Sequence, residues 1–398
     1  MSLSATAAPV VRATLPVVGA HLDRITERFY ARMFAARPEL LRDLFNRGNQ
    51  ASGDQRRALA GSIAAWAGLL LADAPAADPR AVVGRIAHKH ASLGITSEQY
   101  KIVHEHLFAA IGEVLGDAVT PEVAAAWDEV YWSMADALIA AEADLYRAAG
   151  TAEGAVWRPM RVTGRVRETA DVVSFTLSPS DGTPAGPFLP GQYVSVQVEA
   201  ADGARQIRQY SLISAPGRAE WQISVKRVRP DDGPAGEVSA ILHDAVLPGD
   251  EITVSAPFGD LVLPDGDGPL LLASAGIGIT PTLSMLLALA RERSGRRVIV
   301  VHGDRGPDTH AHRAHQEACA AELPGASLHV WYEEPGASGA LRGYPDLASL
   351  DLPDGVTALL CGPLPFLRSA KAALLAKGVP AERIAYEVFG PDLWRGGN

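Results

Sequence analysis

The chain has only two cysteines among its 398 residues, Cys319 and Cys361. Two thiols cannot build a disulfide framework or a cysteine-rich metal site, and in a reducing compartment no structural bridge is expected. Long hydrophobic runs are missing as well, so no transmembrane helix and no stable membrane insertion is expected. The segment Met1 to Pro9 has no basic stretch leading into an apolar core, and a cytoplasmic location is expected. Basic charge is scarce. With 36 Lys and Arg against 46 Asp and Glu, the net charge is -10, which argues against a nucleic-acid partner because phosphate binding needs basic surface. There is neither an internal repeat nor a low-complexity tract. What is present, 47% hydrophobic and 21% charged residues, suits a folded globular protein, and the length suggests two or three domains.

Three patterns follow one another. From Val10 to Ala149 the apolar residues recur at helical spacing: Leu22, Ile25, Phe29 and Met33, then Leu59, Ile63, Trp66 and Leu70. Asp78-Pro79 reads as a helix start with Val82, Ile86 and His90 inward, stopping near Gly94. Tyr100, Val103, Leu107 and Ile111 mark a further helix, and Val123 to Leu145 the last long one. An all-α domain over 1–150 is expected, of globin size. After the polar linker Thr151 to Gly154, strand-like stretches at Val172–Leu177, Tyr193–Val198, Arg208–Ile213 and Trp221–Val228 predict a small antiparallel barrel over 155–264. From 268 to 398, candidate parallel strands at Leu270–Ala273, Val298–His302, Leu328–Trp331, Thr357–Leu360 and Ile384–Val388 alternate with helices, the pattern of a nucleotide-binding α/β domain.

In the helical part His90 could be an iron ligand, or a buried histidine satisfied by a backbone carbonyl. Tyr100 and Glu142 flank apolar stripes from which they could bond to the other ring nitrogen of such a ligand and make it more electron-donating. Tyr30 could present a hydroxyl to a bound small molecule or serve as a core tyrosine. Gln55 could present an amide, or close a capping box in Ser52-Gly53-Asp54-Gln55.

In the strand region Arg208-Gln209-Tyr210-Ser211 places Arg208 and Tyr210 on one face and Ser211 on the other. A guanidinium pairs with a pyrophosphate oxygen and a tyrosine ring lies against a flavin. Leu189-Pro190-Gly191-Gln192-Tyr193 supplies a second aromatic, and Gly236-Glu237-Val238-Ser239 a helix start whose amides could hold phosphate. Ala275-Gly276-Ile277-Gly278-Ile279-Thr280-Pro281 reads as a glycine turn after a strand, with Thr280 as cap and Pro281 in the first turn. It is Gly-x-Gly-x-x-Pro and departs from the six-residue dinucleotide fingerprint. Asp304 suits a ribose 2′-hydroxyl and Arg305 a 2′-phosphate, so NADH and NADPH both stay open. His302, His310, His312 and His315 lack the spacing of a metal helix and are expected on a solvated face.

Phe29-Tyr30-Ala31-Arg32-Met33-Phe34, Asn49-Gln50 with Gly53 to Arg56, Lys89-His90 with Glu98-Gln99-Tyr100, and Glu105-His106-Leu107 resemble the flavohaemoglobin family along essentially the whole chain. The resemblance implies His90 as the axial haem ligand, Tyr100 and Glu142 as its hydrogen-bond partners, and Tyr30 and Gln55 as the distal residues. It implies a reductase half of the ferredoxin-reductase type. Tyr193, Arg208, Gln209, Tyr210, Ser211, Lys226, Gly236, Val238 and Ser239 would hold FAD. Gly276, Gly278, Thr280, Pro281, Cys361, Gly362 and Pro363 would hold NADH or NADPH, with Phe389 near the flavin. The activity it implies is nitric oxide dioxygenation by a monomer carrying haem b and FAD, from nitric oxide and oxygen to nitrate. A haem oxygen binder or sensor with an attached reductase, and a flavin, ferric or quinone reductase, are the alternatives.

Overall fold

The computed structural model describes residues 3–72, 79–229, 236–336 and 339–390, with the side chains of 79–82 set aside. Asp78, the expected helix cap, and Pro391 to Asn398 lie outside these residues, as does the side chain of Val82. The described residues fall into two compact units. One is Met1–Trp157 with Glu199–Ile207, and the other is Arg158–Val198 with Arg208–Phe389.

The first unit is helical: α1 (Ala7–Ala36), α2 (Pro38–Asp43), α3 (Arg47–Ala51), α4 (Asp54–Leu71), α5 (Pro79–Leu93), α6 (Ser97–Leu115) and α7 (Pro121–Ala148). The expected stripe of α1 is its buried face, with Ile25, Phe29 and Met33 packed beside Trp66, Leu107 and Trp127. On α5 the inward face differs from expectation. Val83, Ala87 and Ala91 are fully buried, whereas Ile86 and His90 are half-buried at the border of that face. Small alanines permit close packing on α7, and His90 is left at the edge, where one ring nitrogen points inward. On α4 the buried residues are Ala60, Trp66 and Ala67, while Leu59, Ile63 and Leu70 are half-buried. Helix α6 opens on a complete capping box. The Thr96 side chain bonds to the Gln99 backbone, and Gln99 Oε1 accepts from the Thr96 N–H at 2.8 Å.

The second unit contains two sheets. The first joins β1 (Trp157–Arg167), β2 (Val172–Pro179), β3 (Tyr193–Glu199), β4 (Arg205–Ser211), β5 (Trp221–Lys226) and β6 (Glu251–Ser255) in the order β4-β3-β6-β1-β2-β5, with α8 (Glu237–Asp244) before β6. Its two edges meet: Leu212 bridges Ile223, and the Ile213 N–H donates to Gln222 O at 2.8 Å. That closure makes the expected antiparallel barrel and removes the free edges. Strands β1 and β6 escape sequence reading for a physical reason. Only Met160 and Val162 of β1 are buried, among arginines and Gly164, and β6 has five residues.

The second sheet is parallel: β7 (Leu270–Ala275), β8 (Val298–Asp304), β9 (Ala326–Tyr332), β10 (Leu341–Arg342), β11 (Thr357–Cys361) and β12 (Ile384–Glu387), in the order β10-β9-β8-β7-β11-β12. Helices α9 (Ile279–Arg291), α10 (Arg313–Glu322) and α11 (Leu364–Ala376) connect the strands. The chain starts at β7, runs outward through β8 to β10, and returns to add β11 on the other side. The switch point therefore lies between β7 and β11, where a parallel sheet receives its ligand.

Of the four histidines expected on a solvated face only His315 is exposed, while His302, His310 and His312 are buried. His302 and His310 stack at 4.0 Å between ring centroids, His302 Nδ1 bonds to Ser274 Oγ, and His310 Nδ1 to the Tyr332 hydroxyl at 2.7 Å. His312 Nε2 meets Ser224 Oγ at 2.7 Å. The rings of these three complete internal hydrogen bonds. Among the described residues no cluster of three metal-ligating side chains exists.

Candidate active site

The sharpest chemistry in the helical unit is at His90. The Tyr100 hydroxyl donates to Glu142 Oε1 at 2.6 Å. His90 Nδ1 lies 2.9 Å from the same carboxylate oxygen and 3.0 Å from the Tyr100 oxygen. Tyr100 has one hydroxyl proton, and Glu142 takes it. Nδ1 thus faces two acceptors and carries the ring proton, which leaves Nε2 with its lone pair free. No hydrogen bond from a described residue reaches Nε2. Burial, then the Glu142 charge, raises the Tyr100 pKa well above the ordinary phenol value, so the proton is held firmly between them. The capping box of α6 places Tyr100 in the first turn, and Tyr131 fixes that turn by donating to Tyr100 O at 2.6 Å.

Tyr30 is buried among Phe29, Phe34 and Phe45, with ring centroids 4.7, 5.6 and 5.9 Å away. Burial raises its pKa far above the usual value, and the neighbouring amides of Gln50 and Gln55 offset part of that shift. Gln55 does not close a capping box. The N-cap of α4 is Gly53 in the left-handed region, and Ser52 Oγ accepts from the Asp54 N–H instead. Its amide is thereby free to reach Tyr30. In the sequence Gln50 stands out only as part of the Asn49-Gln50 motif. It lies in the five-residue α3, too short for any periodicity to expose it.

These groups fit haem. A bare imidazole nitrogen backed by a buried carboxylate is an axial donor whose orientation is fixed from behind. Ser211 fits a flavin in a similar way: its hydroxyl is buried at the end of β4 and has no hydrogen-bond partner among the described residues. Along the same strand Arg208 lies close enough to Tyr210 to oppose the upward push of burial on the phenol. Gln209 Nε2 donates to Ser195 Oγ at 2.9 Å, which ties its side chain to β3. Tyr193 is buried, and Lys226 sits 3.6 Å from the Asp171 carboxylate.

Gly236 is the N-cap of α8, and its N–H donates to Val228 O. The Ser239 hydroxyl is spent locally, donating to Gly236 O and accepting from the Val228 N–H, and Val238 is fully buried. A phosphate there would meet the backbone amides of Val238 and Ser239 and not the serine hydroxyl.

After β7 the two glycines do different work. Gly276 has φ +54 and open space where a side chain would stand, as a turn that approaches a pyrophosphate requires. At Gly278 a Cβ would lie 2.3 Å from the Cys361 carbonyl oxygen, so this glycine serves the packing of the turn against β11. Thr280 is not the cap of α9. Gly278 holds that position, and Thr280 Oγ1 donates back to Ile277 O from the second residue of the helix. Pro281 is in the first turn as expected. Cys361 is fully buried, and Gly362 and Pro363 lead into α11. Phe389 is exposed. Asp304 is not free for a ribose: its carboxylate accepts from Thr309 Oγ1 at 2.6 Å and from the Arg305 N–H at 2.7 Å. The Arg305 side chain is exposed.

A helical unit with a carboxylate-backed histidine, followed by a flavin barrel and a nucleotide sheet, defines an oxidoreductase that joins a haem protein to its own reductase. Residues 27–138 match the globin family, 159–262 the oxidoreductase FAD-binding domain and 272–372 the oxidoreductase NAD-binding domain. The flavohemoprotein of Bordetella pertussis is 44% identical over 396 residues, covering 96% of this chain and 97% of the relative. That of Rhizobium meliloti is 41% identical over 401 residues, covering 97% and 98%. The crystal structure of flavohemoglobin from Malassezia yamatoensis with bound FAD and heme superposes with a TM-score of 0.90 at 36% identity, covering 98% of this chain and all of that one. The chain belongs to the flavohemoprotein family, and its cofactors are haem, FAD and a nicotinamide nucleotide.

Proposed function

We propose that this chain is a nitric oxide dioxygenase. The flavin-and-nucleotide part of a nitric oxide dioxygenase from Vibrio cholerae is similar to its second half, with a TM-score of 0.56 and 36% identity over 59% of this chain. The observation that carries the reading is the His90–Tyr100–Glu142 constellation, found in the same unit as a buried tyrosine with two amides. When bound, haem supplies a one-electron iron that takes oxygen, and FAD divides the hydride pair of NAD(P)H into single electrons.

The residues supply orientation and charge. Glu142 and Tyr100 hold the proton on His90 Nδ1, which makes Nε2 a stronger donor and favours oxygen activation over storage. Tyr30, with Gln50 and Gln55, offers hydrogen bonds on which a reacting oxygen species can be held for attack by nitric oxide. Phe29, Phe34 and Phe45 keep water away from that hydroxyl. The balance consumes two nitric oxide, two oxygen and one NAD(P)H, and yields two nitrate, one NAD(P)+ and one proton. We assign these roles to modules at 1–150, 155–264 and 268–398, acting as a monomer on nitric oxide, oxygen and NAD(P)H.

The test is a nitric oxide electrode in aerated buffer, with the haem- and FAD-loaded protein and NADH or NADPH. Rapid, oxygen-requiring loss of nitric oxide with matching nitrate is expected. Slow or oxygen-independent loss, with the nucleotide still oxidised, would return the chain to the oxygen-binder or reductase readings.

A further inference from the structure

The hairpin joining β3 to β4 belongs by sequence to the barrel, yet Glu199–Ile207 pack with the helical unit. The residue that carries this packing is Gln206, which is fully buried. Its Nε2 donates to Arg42 O at 3.0 Å and Phe45 O at 3.4 Å, and its Oε1 accepts from the Arg47 N–H at 3.4 Å. One side chain thus satisfies carbonyls left over at the end of α2 and the first amide of α3. Ion pairs surround it. Arg205 donates from both backbone and side chain to Asp43, and Arg47 pairs with both oxygens of Asp202 at 2.7 and 3.1 Å. The tip itself is braced by Ala200 N–H to Ala204 O at 2.8 Å.

The corner held in this way, Arg42 to Arg47, carries Phe45 and leads into α3 with Gln50, two of the side chains beside Tyr30. Phe45 stands edge-on to the Tyr30 ring, and Gln50 of α3 lies near enough to its hydroxyl to oppose the upward push of burial on the phenol. We infer that Gln206 is a positioning residue for the distal side of the reaction: through the α2–α3 corner it keeps Phe45 and Gln50 against Tyr30. The inference rests on the reading of Tyr30 given above.

The test is the rate of oxygen loss from the reduced, haem- and FAD-loaded full chain, measured by stopped flow with an oxygen scavenger. Gln206→Ala removes two donors and an acceptor from buried partners and should speed oxygen loss about tenfold. The rate of flavin reduction by the nucleotide should stay unchanged. A merely structural role would act regardless of Tyr30, so the decisive comparison is the Tyr30→Phe background. There Gln206→Ala should change the rate less than about twofold, since its effect passes through the missing hydroxyl. If Gln206→Ala does not fold, the half-exposed Asp202→Ala loosens the same corner and should speed oxygen loss by about twofold to threefold. An unchanged rate in whichever of the two variants folds, or the same acceleration with and without the Tyr30 hydroxyl, overturns the inference. No effect of Tyr30→Phe on oxygen loss overturns the underlying reading instead.

Discussion

Replacing Tyr30 by phenylalanine removes one hydroxyl and leaves its aromatic neighbours in place. If that hydroxyl holds the oxygen ligand, oxygen should leave about ten times faster or more, as a lost hydrogen bond to a charged acceptor implies. Flash or stopped-flow dissociation measures it, and an unchanged rate removes Tyr30 from the site. On the opposite side, Glu142→Gln keeps the shape but takes away the charge that binds the Nδ1 proton. Turnover should fall about tenfold to a hundredfold and the iron potential should rise. A variant with parental turnover and potential would make Glu142 a packing residue. Tyr30, His90, Tyr100 and Glu142 were legible from the residues only as candidates on or beside helical stripes, and the family resemblance alone gave them roles. The reason they belong together was not legible there: the bonds from His90 to Tyr100 and Glu142 cross ten and fifty-two residues. Gln206 was invisible for the same reason, since its partners lie some 160 residues away.

At the scale of elements, the position of Tyr100 depends on how α6 starts. Thr96→Ala removes the capping side chain and should cost about 1 kcal/mol in urea unfolding. Because Tyr100 is in that first turn, turnover should also fall; lost stability with intact turnover would uncouple the cap from the site. The loop after β8 depends on neutral histidines. Burial, together with the neighbouring His302, lowers the His310 pKa to about 3 from the ordinary 6.5. Above pH 6.5 both folded and unfolded states are neutral there, and the contribution is complete. As pH falls below 6.5 the unfolded chain takes up a proton that the fold refuses, and stability drops towards pH 3 at about 1.4 kcal/mol per pH unit. Thermal melts between pH 7 and pH 4 should show a slope that His310→Gln flattens; equal slopes would contradict the assignment. Sequence reading puts His302, His310 and His312 on a solvated face with His315 because their spacing shows only that they are not a metal helix, and not whether they are buried. His312, at the boundary of α10, adopts φ 59 and turns inward. Short elements were hard to read in general. Helix α3 and strand β10 have too few residues for a period, and β1 buries only two of eleven.

For the whole molecule, the order of the three folds was legible because each has its own repeat: helical stripes, alternating strands, then strands separated by helices. The closure of the barrel through Leu212 and Ile223, and the packing of the β3–β4 tip with the helical unit, depend on pairings between distant segments that no local pattern encodes. Covalent linkage of a haem protein to its reductase is what makes repeated turnover possible, and the central claim is that this turnover dioxygenates nitric oxide. Dioxygenation places both atoms of one oxygen molecule in the product, which reductase or oxygen-storage activity does not. The most direct measurement is therefore mass spectrometry of the nitrate formed from nitric oxide and ¹⁸O-labelled oxygen by the loaded protein with NADH or NADPH. The account predicts nitrate carrying two ¹⁸O atoms, formed in step with nucleotide oxidation. Nitrate with one labelled atom or none, or nucleotide oxidation without nitrate, would contradict it.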